Sequence, residues 1–144
     1  MIEIRSPKTK EEWEKYFQLR WEVLRKPWNQ PKGSEKDNAE ETSLHFMAID
    51  DKNDILGVCR LQKNSNKEGQ IRFMAVLEKA QGKGVGKKLI QAAELKAKEI
   101  GLEKIILQAR ENAVPFYLSC NYQIVEKTFL LFNSIQHYLM TKKL

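Results

Sequence analysis

Gln81-Gly82-Lys83-Gly84-Val85-Gly86-Lys87-Lys88 lies between an apolar run, Phe73-Met74-Ala75-Val76-Leu77, and a helical pattern that begins near Val85. Glycines at a strand-to-helix junction let the backbone approach a ligand with no Cβ in the way, and the first N–H groups of a helix have no partner inside it. With the positive end of the helix dipole, the stretch forms a cradle for phosphate, and Lys83, Lys87 and Lys88 surround it with mobile positive charge. Two common phosphate motifs do not fit. A Walker loop ending at Gly86-Lys87 requires glycine at position 81 and Ser or Thr at 88, where the chain has Gln81 and Lys88. A dinucleotide fingerprint starting at Gly82 requires Gly or Ala at 87, which is Lys87.

Downstream of the loop, Val85, Leu89, Ala93, Ala97 and Ile100 step by four or three with Ile90 beside them, and Gly101 ends the helix. Lys104 to Ala109 follows as a buried strand. A strand, a helix and a strand of these lengths imply a right-handed crossover, which puts the glycine loop at the carboxyl end of its strand, where open sheets bind ligands. Asn112 is placed to cap a short helix reaching Cys120, with Pro115 in its first turn. Tyr122 to Lys127 and Ile135 to Lys142 read as the last strands, joined by Thr128 to Ser134.

Upstream, Ile2-Glu3-Ile4 is a short strand. Thr9 is an N-cap, with Glu11 and Glu12 in the favourable first turn of a helix. Trp13, Phe17, Trp21 and Leu24 form its apolar face, Tyr16, Leu19 and Val23 widen it, and Arg20 is expected at its edge; Pro27 stops it. Lys26 to Thr42 is a long polar loop in which Trp28 either plugs the core or contacts substrate, the plug being the preferred reading. Ser43 to Ile49, Ile55 to Gln62 and Gln70 to Leu77 then make an antiparallel meander.

Gln-x-x-Gly-x-Gly after a strand carrying Ala75-Val76 resembles the acetyl-coenzyme A loop of the GNAT N-acetyltransferase superfamily. A second segment, Asn112 to Tyr122, is similar to that family's A-x-x-F-Y-x-x-x-G-F, with Ala113, Phe116 and Tyr117 in place, Asn121 for the glycine and Tyr122 for the phenylalanine. Asparagine tolerates the left-handed backbone that a helix-ending glycine adopts. Many members carry an asparagine three residues before the alanine, where this chain has Arg110. His45 and Ile135 to Met140 also resemble patterns in ElaA-like members. The resemblance covers the full length and implies a mixed α+β and α/β architecture, a central sheet of about seven strands flanked by about four helices, forming one domain over residues 1–144.

The resemblance further implies an acetyl-coenzyme A-dependent transfer to a primary amine, direct and in a ternary complex. Backbone N–H groups over Gln81, Gly82, Lys83, Gly84, Val85, Gly86 and Lys87 are expected on the pyrophosphate, and Met74, Ala75 and Val76 along the pantetheine arm, with the Val76 N–H facing the thioester carbonyl. Phe116 is expected beside the donor, and Asn112 either reaches the pantetheine or only caps its helix. Tyr117 matches the tyrosine that often protonates the leaving sulfur, a role a phenol suits because its ordinary pKa of about 10 lies just above the thiol's of about 8.5. Glu40, Glu41, His45 and His137 are candidate bases, and none is assigned. Acceptor specificity is expected from Lys26 to Thr42 and Thr128 to Ser134.

Composition is ordinary for a globular protein. The chain has 144 residues, 42% hydrophobic and 31% charged, with a formal charge of +6. A polyanionic donor accounts for that charge as well as nucleic acid does, since the lysines are scattered and no basic segment is interleaved with aromatics. A basic surface also does not favour a cationic polyamine as acceptor. Cys59 and Cys120 show neither metal nor disulfide spacing and read as reduced, structural residues. No metal is expected. No window has the length of a membrane span, so the expectation is a cytoplasmic monomer or homodimer acting on a small amine or peptide, without nucleic-acid or membrane partners. The alternatives are a non-catalytic acyl-coenzyme A binding module and a basic nucleic-acid-binding protein.

Overall fold

The computed structural model describes residues 1–144. The elements run β1 (Glu3–Arg5), α1 (Lys10–Leu24), β2 (Leu44–Ile49), β3 (Ile55–Lys63), β4 (Glu68–Val76), α2 (Val85–Glu99), β5 (Lys104–Arg110), α3 (Val114–Ser119), β6 (Gln123–Leu131) and β7 (Ile135–Lys143). Seven strands form one mixed sheet in the order β1-β2-β3-β4-β5-β7-β6, with β4 and β5 its one parallel pair. Three α-helices flank it rather than four; single 3₁₀ turns at Lys26–Trp28, Glu78–Ala80 and Glu111–Ala113 fill the connections.

Strand alternation divides the core in two. Ala48, Cys59, Leu61, Ile71, Ile105 and Leu107 face α2, which contributes Val85, Leu89, Ile90, Ala93 and Ala97. Met47, Ile49, Val58 and Ala75, on the opposite face, pack against Tyr16, Leu19 and Leu24 of α1.

The Thr9 side chain accepts from the Glu12 N–H at 3.1 Å and Glu12 reaches back to the Thr9 N–H, a reciprocal cap at the start of α1. The buried stripe of α1 is centred on Tyr16, Leu19, Arg20 and Leu24, leaving Trp13, Phe17 and Trp21 half-buried on its flank. Arg20 is therefore not at an edge but fully buried, because carboxylate and carbonyl oxygens from the loop meet it inside. Trp28 does not plug the core: it is 37% exposed at the end of the turn that carries Pro27.

Both helices that frame the ligand region end by the same device. At α2, Gly101 adopts φ +86° and the Leu102 N–H donates to the Ala97 carbonyl at 2.9 Å; at α3, Asn121 adopts φ +70° and the Tyr122 N–H donates to the Tyr117 carbonyl at 3.0 Å. The asparagine does the work of the glycine it replaces. Asn112 caps nothing, since α3 starts after Ala113 with no side-chain cap. The last connection is also shorter than expected: β6 continues to Leu131 and only Phe132 to Ser134 turn, because Leu130 and Leu131 still pair with Gln136 and Ile135 of β7.

Candidate active site

The parallel pairing of β4 with β5 stops at Ile71–Leu107, while β4 stays paired with β3 as far as Val76. The two central strands therefore splay. The cause lies in β4, where Phe73 and Met74 together oppose Cys59, a bulge with Phe73 at φ +54°. A left-handed phenylalanine stores strain of about 1–3 kcal/mol and persists only where its surroundings hold it. Here four guanidinium groups surround the ring: Arg20 at 4.3 Å, Arg60 at 4.8 Å, Arg72 at 4.9 Å and Arg25 at 5.7 Å from the centroid. Arg20 and Arg60, both fully buried, share Glu40 Oε2 at 2.9 Å each, and Asp37 holds Arg60 and Arg72. Loop residues 26–43 thus lock the bulge from behind.

Between the splayed strands and the start of α2 is a cleft of about 1130 Å³. Met74, Ala75, Val76, Gln81, Gly82, Gly84, Val85, Gly86, Lys87, Asn112, Phe116 and Tyr117 all line it; Lys83 is exposed on the loop and does not. Gly82 and Gly84 adopt φ +77° and +82° with open space around them, so their backbone shape and not their size excludes other residues. Gly84 is the N-cap of α2 and offers no side chain, and the Val85, Gly86 and Lys87 N–H groups find no acceptor in the chain. Three unpaired donors at a helix N-terminus suit a pyrophosphate.

On the facing strand, the Leu77 N–H donates to the Leu56 carbonyl of β3, so alternation turns the polar groups of Val76 into the cleft. The Gln81 side chain takes the Val76 carbonyl at 3.3 Å and leaves its N–H available. The glutamine of the motif therefore acts by tying the loop to the strand.

Tyr117 stands on α3, 6% exposed, packed edge-on against Phe116 and Tyr122. Its hydroxyl has no hydrogen-bond partner in the chain, yet it is not among the sealed, unpartnered polar atoms, so it opens on the cleft. Burial raises its pKa and keeps the phenol protonated. Of the four candidate bases only His137 lines the cleft. Its Nδ1 lies 2.9 Å from the Ile135 carbonyl, which can only accept, so Nδ1 carries the proton and Nε2 is the lone-pair nitrogen. Burial, then the Arg110 and Arg25 charges, lower its pKa and keep it neutral. His45 has both nitrogens engaged, by Glu40 O and Tyr16 Oη; Glu40 belongs to the arginine lock, and Glu41 is exposed away from the cleft.

Loop 26–42 contributes no side chain to the cleft wall, whereas Phe129 and Leu131 do. Sequence reasoning missed Arg25, Arg72 and Arg110, which also line it. Arg110 showed itself only as a departure from the family's asparagine. Both cysteines are free and buried; burial pushes the Cys59 thiol up to about 12 and raises that of Cys120 as well, so neither supplies a thiolate.

The sequence model of the Acetyltransferase (GNAT) family matches residues 13–122. The chain belongs to that family and is an acyltransferase. It is 30% identical over 135 residues to the uncharacterized N-acetyltransferase YjcF of Bacillus subtilis (strain 168), covering 94% of this chain and 95% of that one. The same fold is seen in Escherichia coli ElaA, with a TM-score of 0.83, 19% identity, and 99% of each chain covered. A GNAT family acetyltransferase from Elizabethkingia anophelis with acetyl-CoA bound superposes with a TM-score of 0.77 and 19% identity over 100% of this chain and 97% of that one. No helix of this GNAT protein is long and apolar enough to cross a membrane.

Proposed function

We propose that the protein moves the acetyl group of acetyl-coenzyme A to a primary amine, small molecule or peptide, directly and in a ternary complex. The observation that carries this is the arrangement of unpaired groups along one cleft: three main-chain donors at the start of α2 at one end, and the unpartnered Tyr117 hydroxyl with the free Nε2 of His137 further along. The Val85, Gly86 and Lys87 N–H groups bind the pyrophosphate, and Lys87 adds charge; Met74 to Val76 lie along the pantetheine, with Asn112 and Phe116 across from them. The Val76 N–H donates to the thioester oxygen as negative charge grows there.

His137 Nε2 takes the proton of the attacking amine, the nitrogen forms its bond to the carbonyl carbon, and the carbon–sulfur bond breaks. Tyr117 gives its proton to the leaving sulfur and regains one from solvent, while His137 releases to solvent the proton it took. The absence of a cysteine able to form a thiolate in the cleft favours direct transfer over an acetylated enzyme.

The test is thiol release from acetyl-coenzyme A across amines, amino acids and peptides. Release that depends on an acceptor, with the acetylated product found by mass spectrometry, is the expected result. Tight donor binding with no release for any acceptor would leave a non-catalytic acyl-coenzyme A binder.

A further inference from the structure

Positive charge at the α2 end of the cleft answers the donor's phosphates. The other end, around the Phe73 bulge, is also positive, and the donor offers no reason for it, because thioester and pantetheine are neutral. Arg25 Nη1 and Arg110 Nη2 donate to one and the same oxygen, the main-chain carbonyl of Leu24, at 3.1 and 3.0 Å. Arg25 Nε adds the Ser34 carbonyl at 3.1 Å. Neither guanidinium has a carboxylate partner, and no Asp or Glu lines the cleft. Arg72, also on the wall, shares Asp37 with the buried Arg60. Two half-buried like charges converge on a single neutral oxygen; burial first, and then neighbouring guanidinium charges, lowers the pKa of each, Arg72 and Arg20 acting on Arg25 and Arg25 acting on Arg110. Arg25 feels the Glu35 carboxylate without pairing with it and Arg110 has no contact ion pair, so the two forks stay open to an anion, and guanidinium forks match a carboxylate in geometry and charge.

The same place is where the acceptor must sit. Arg110 stands directly opposite His137 in the β5–β7 ladder, so an anion at the arginines is a short step from the proton-accepting nitrogen. The cations would also repel an ammonium and favour the uncharged amine that attacks.

We infer that the acceptor carries a carboxylate close to its amine, bound by Arg25 and Arg110, so that the substrate is of amino-acid type and not a simple or polycationic amine. The inference rests on the N-acetyltransferase reading and is separable from it: release with any amine tests the enzyme, whereas the preference of acid over amide tests the arginines.

The experiment compares kcat/KM for a set of α-amino acids with their carboxamides and with phosphoethanolamine, in the wild type and in Arg110→Gln, Arg25→Gln and Arg110→Lys, using melting temperature as a folding control. At least tenfold preference for the acids, falling to near parity in the two glutamine variants and largely kept in Arg110→Lys, is expected. Equal rates for acids and amides, a preference that survives both glutamine variants, or phosphoethanolamine outrunning every acid would overturn it. Should no amine be acetylated, binding of N-acetylphenylalanine and N-acetylphenylalaninamide, followed by NMR with coenzyme A present, decides the point without turnover. Acid at least tenfold tighter sustains the inference; equal binding, or none, overturns it.

Discussion

The ring of Phe116 stands 3.1 Å from the position that a Cβ on Gly86 would occupy. The third glycine of the loop therefore makes room for an aromatic side chain of α3, whereas Gly82 and Gly84 serve the backbone shape of the cradle itself. The two kinds of glycine should respond differently to substitution.

In Gly86→Ala, better helix propensity contributes about 1 kcal/mol, and crowding against Phe116 costs about 1–3 kcal/mol, so stability should change little or fall modestly. The displaced ring leans on Tyr117, whose centroid is 5.0 Å away, and kcat should drop on the order of tenfold through misplacement of the hydroxyl. Gly84→Ala has no neighbour to meet but must hold φ +82°, at about 1–2 kcal/mol, and should lower the melting temperature by roughly 4 °C. Calorimetry and steady-state kinetics on the pair check both outcomes.

Glu40→Gln should be among the most damaging changes outside the cleft. The carboxylate stands between two fully buried guanidinium groups, and breaking such an arrangement costs about 3–5 kcal/mol. Loss of roughly 10 °C in melting temperature is expected, with the Phe73 bulge relaxing and donor affinity falling as Met74 to Val76 shift. An unchanged melting temperature would show that the lock does not hold the bulge.

The pH profile follows from His137. Its pKa is lowered from the ordinary 6.5, so the base form persists to more acid pH, and the acid limb of kcat/KM should lie below 6.5. The same sign governs stability: a neutral, buried His137, with His45 lowered likewise, contributes stability that is present above about 6.5 and lost as pH falls through the depressed folded values. His137→Asn should remove the acid limb and reduce kcat by about 10²-fold or more. A limb that stays in the variant would place the titrating group elsewhere.

Much of the fold was legible because its signals are local. The apolar steps of α2, the Thr9 cap of α1 and the Asn121 helix stop each act within a few residues, and the structure places them as read. Arg20 and Phe73 were not legible for the opposite reason. A buried arginine and a left-handed phenylalanine violate local preference and are held by Asp37 and Glu40, which approach from a distant loop. In the site, the glycine loop and Tyr117 carry motifs, so sequence finds them. Arg25 and Arg110 are 85 positions apart and meet only because α1 ends beside the carboxyl end of β5, at the Leu24 carbonyl.

Protonation of the leaving sulfur by Tyr117 is removed in Tyr117→Phe, which deletes a hydroxyl with no partner in the chain, so the fold should not suffer. The decisive measurement is single-turnover release of coenzyme A by this variant beside calorimetric binding of acetyl-coenzyme A. With Tyr117 as the acid, donor affinity should stay within about twofold of wild type and release should slow on the order of 10²- to 10⁴-fold. Release at the wild-type rate with the donor bound normally would contradict it.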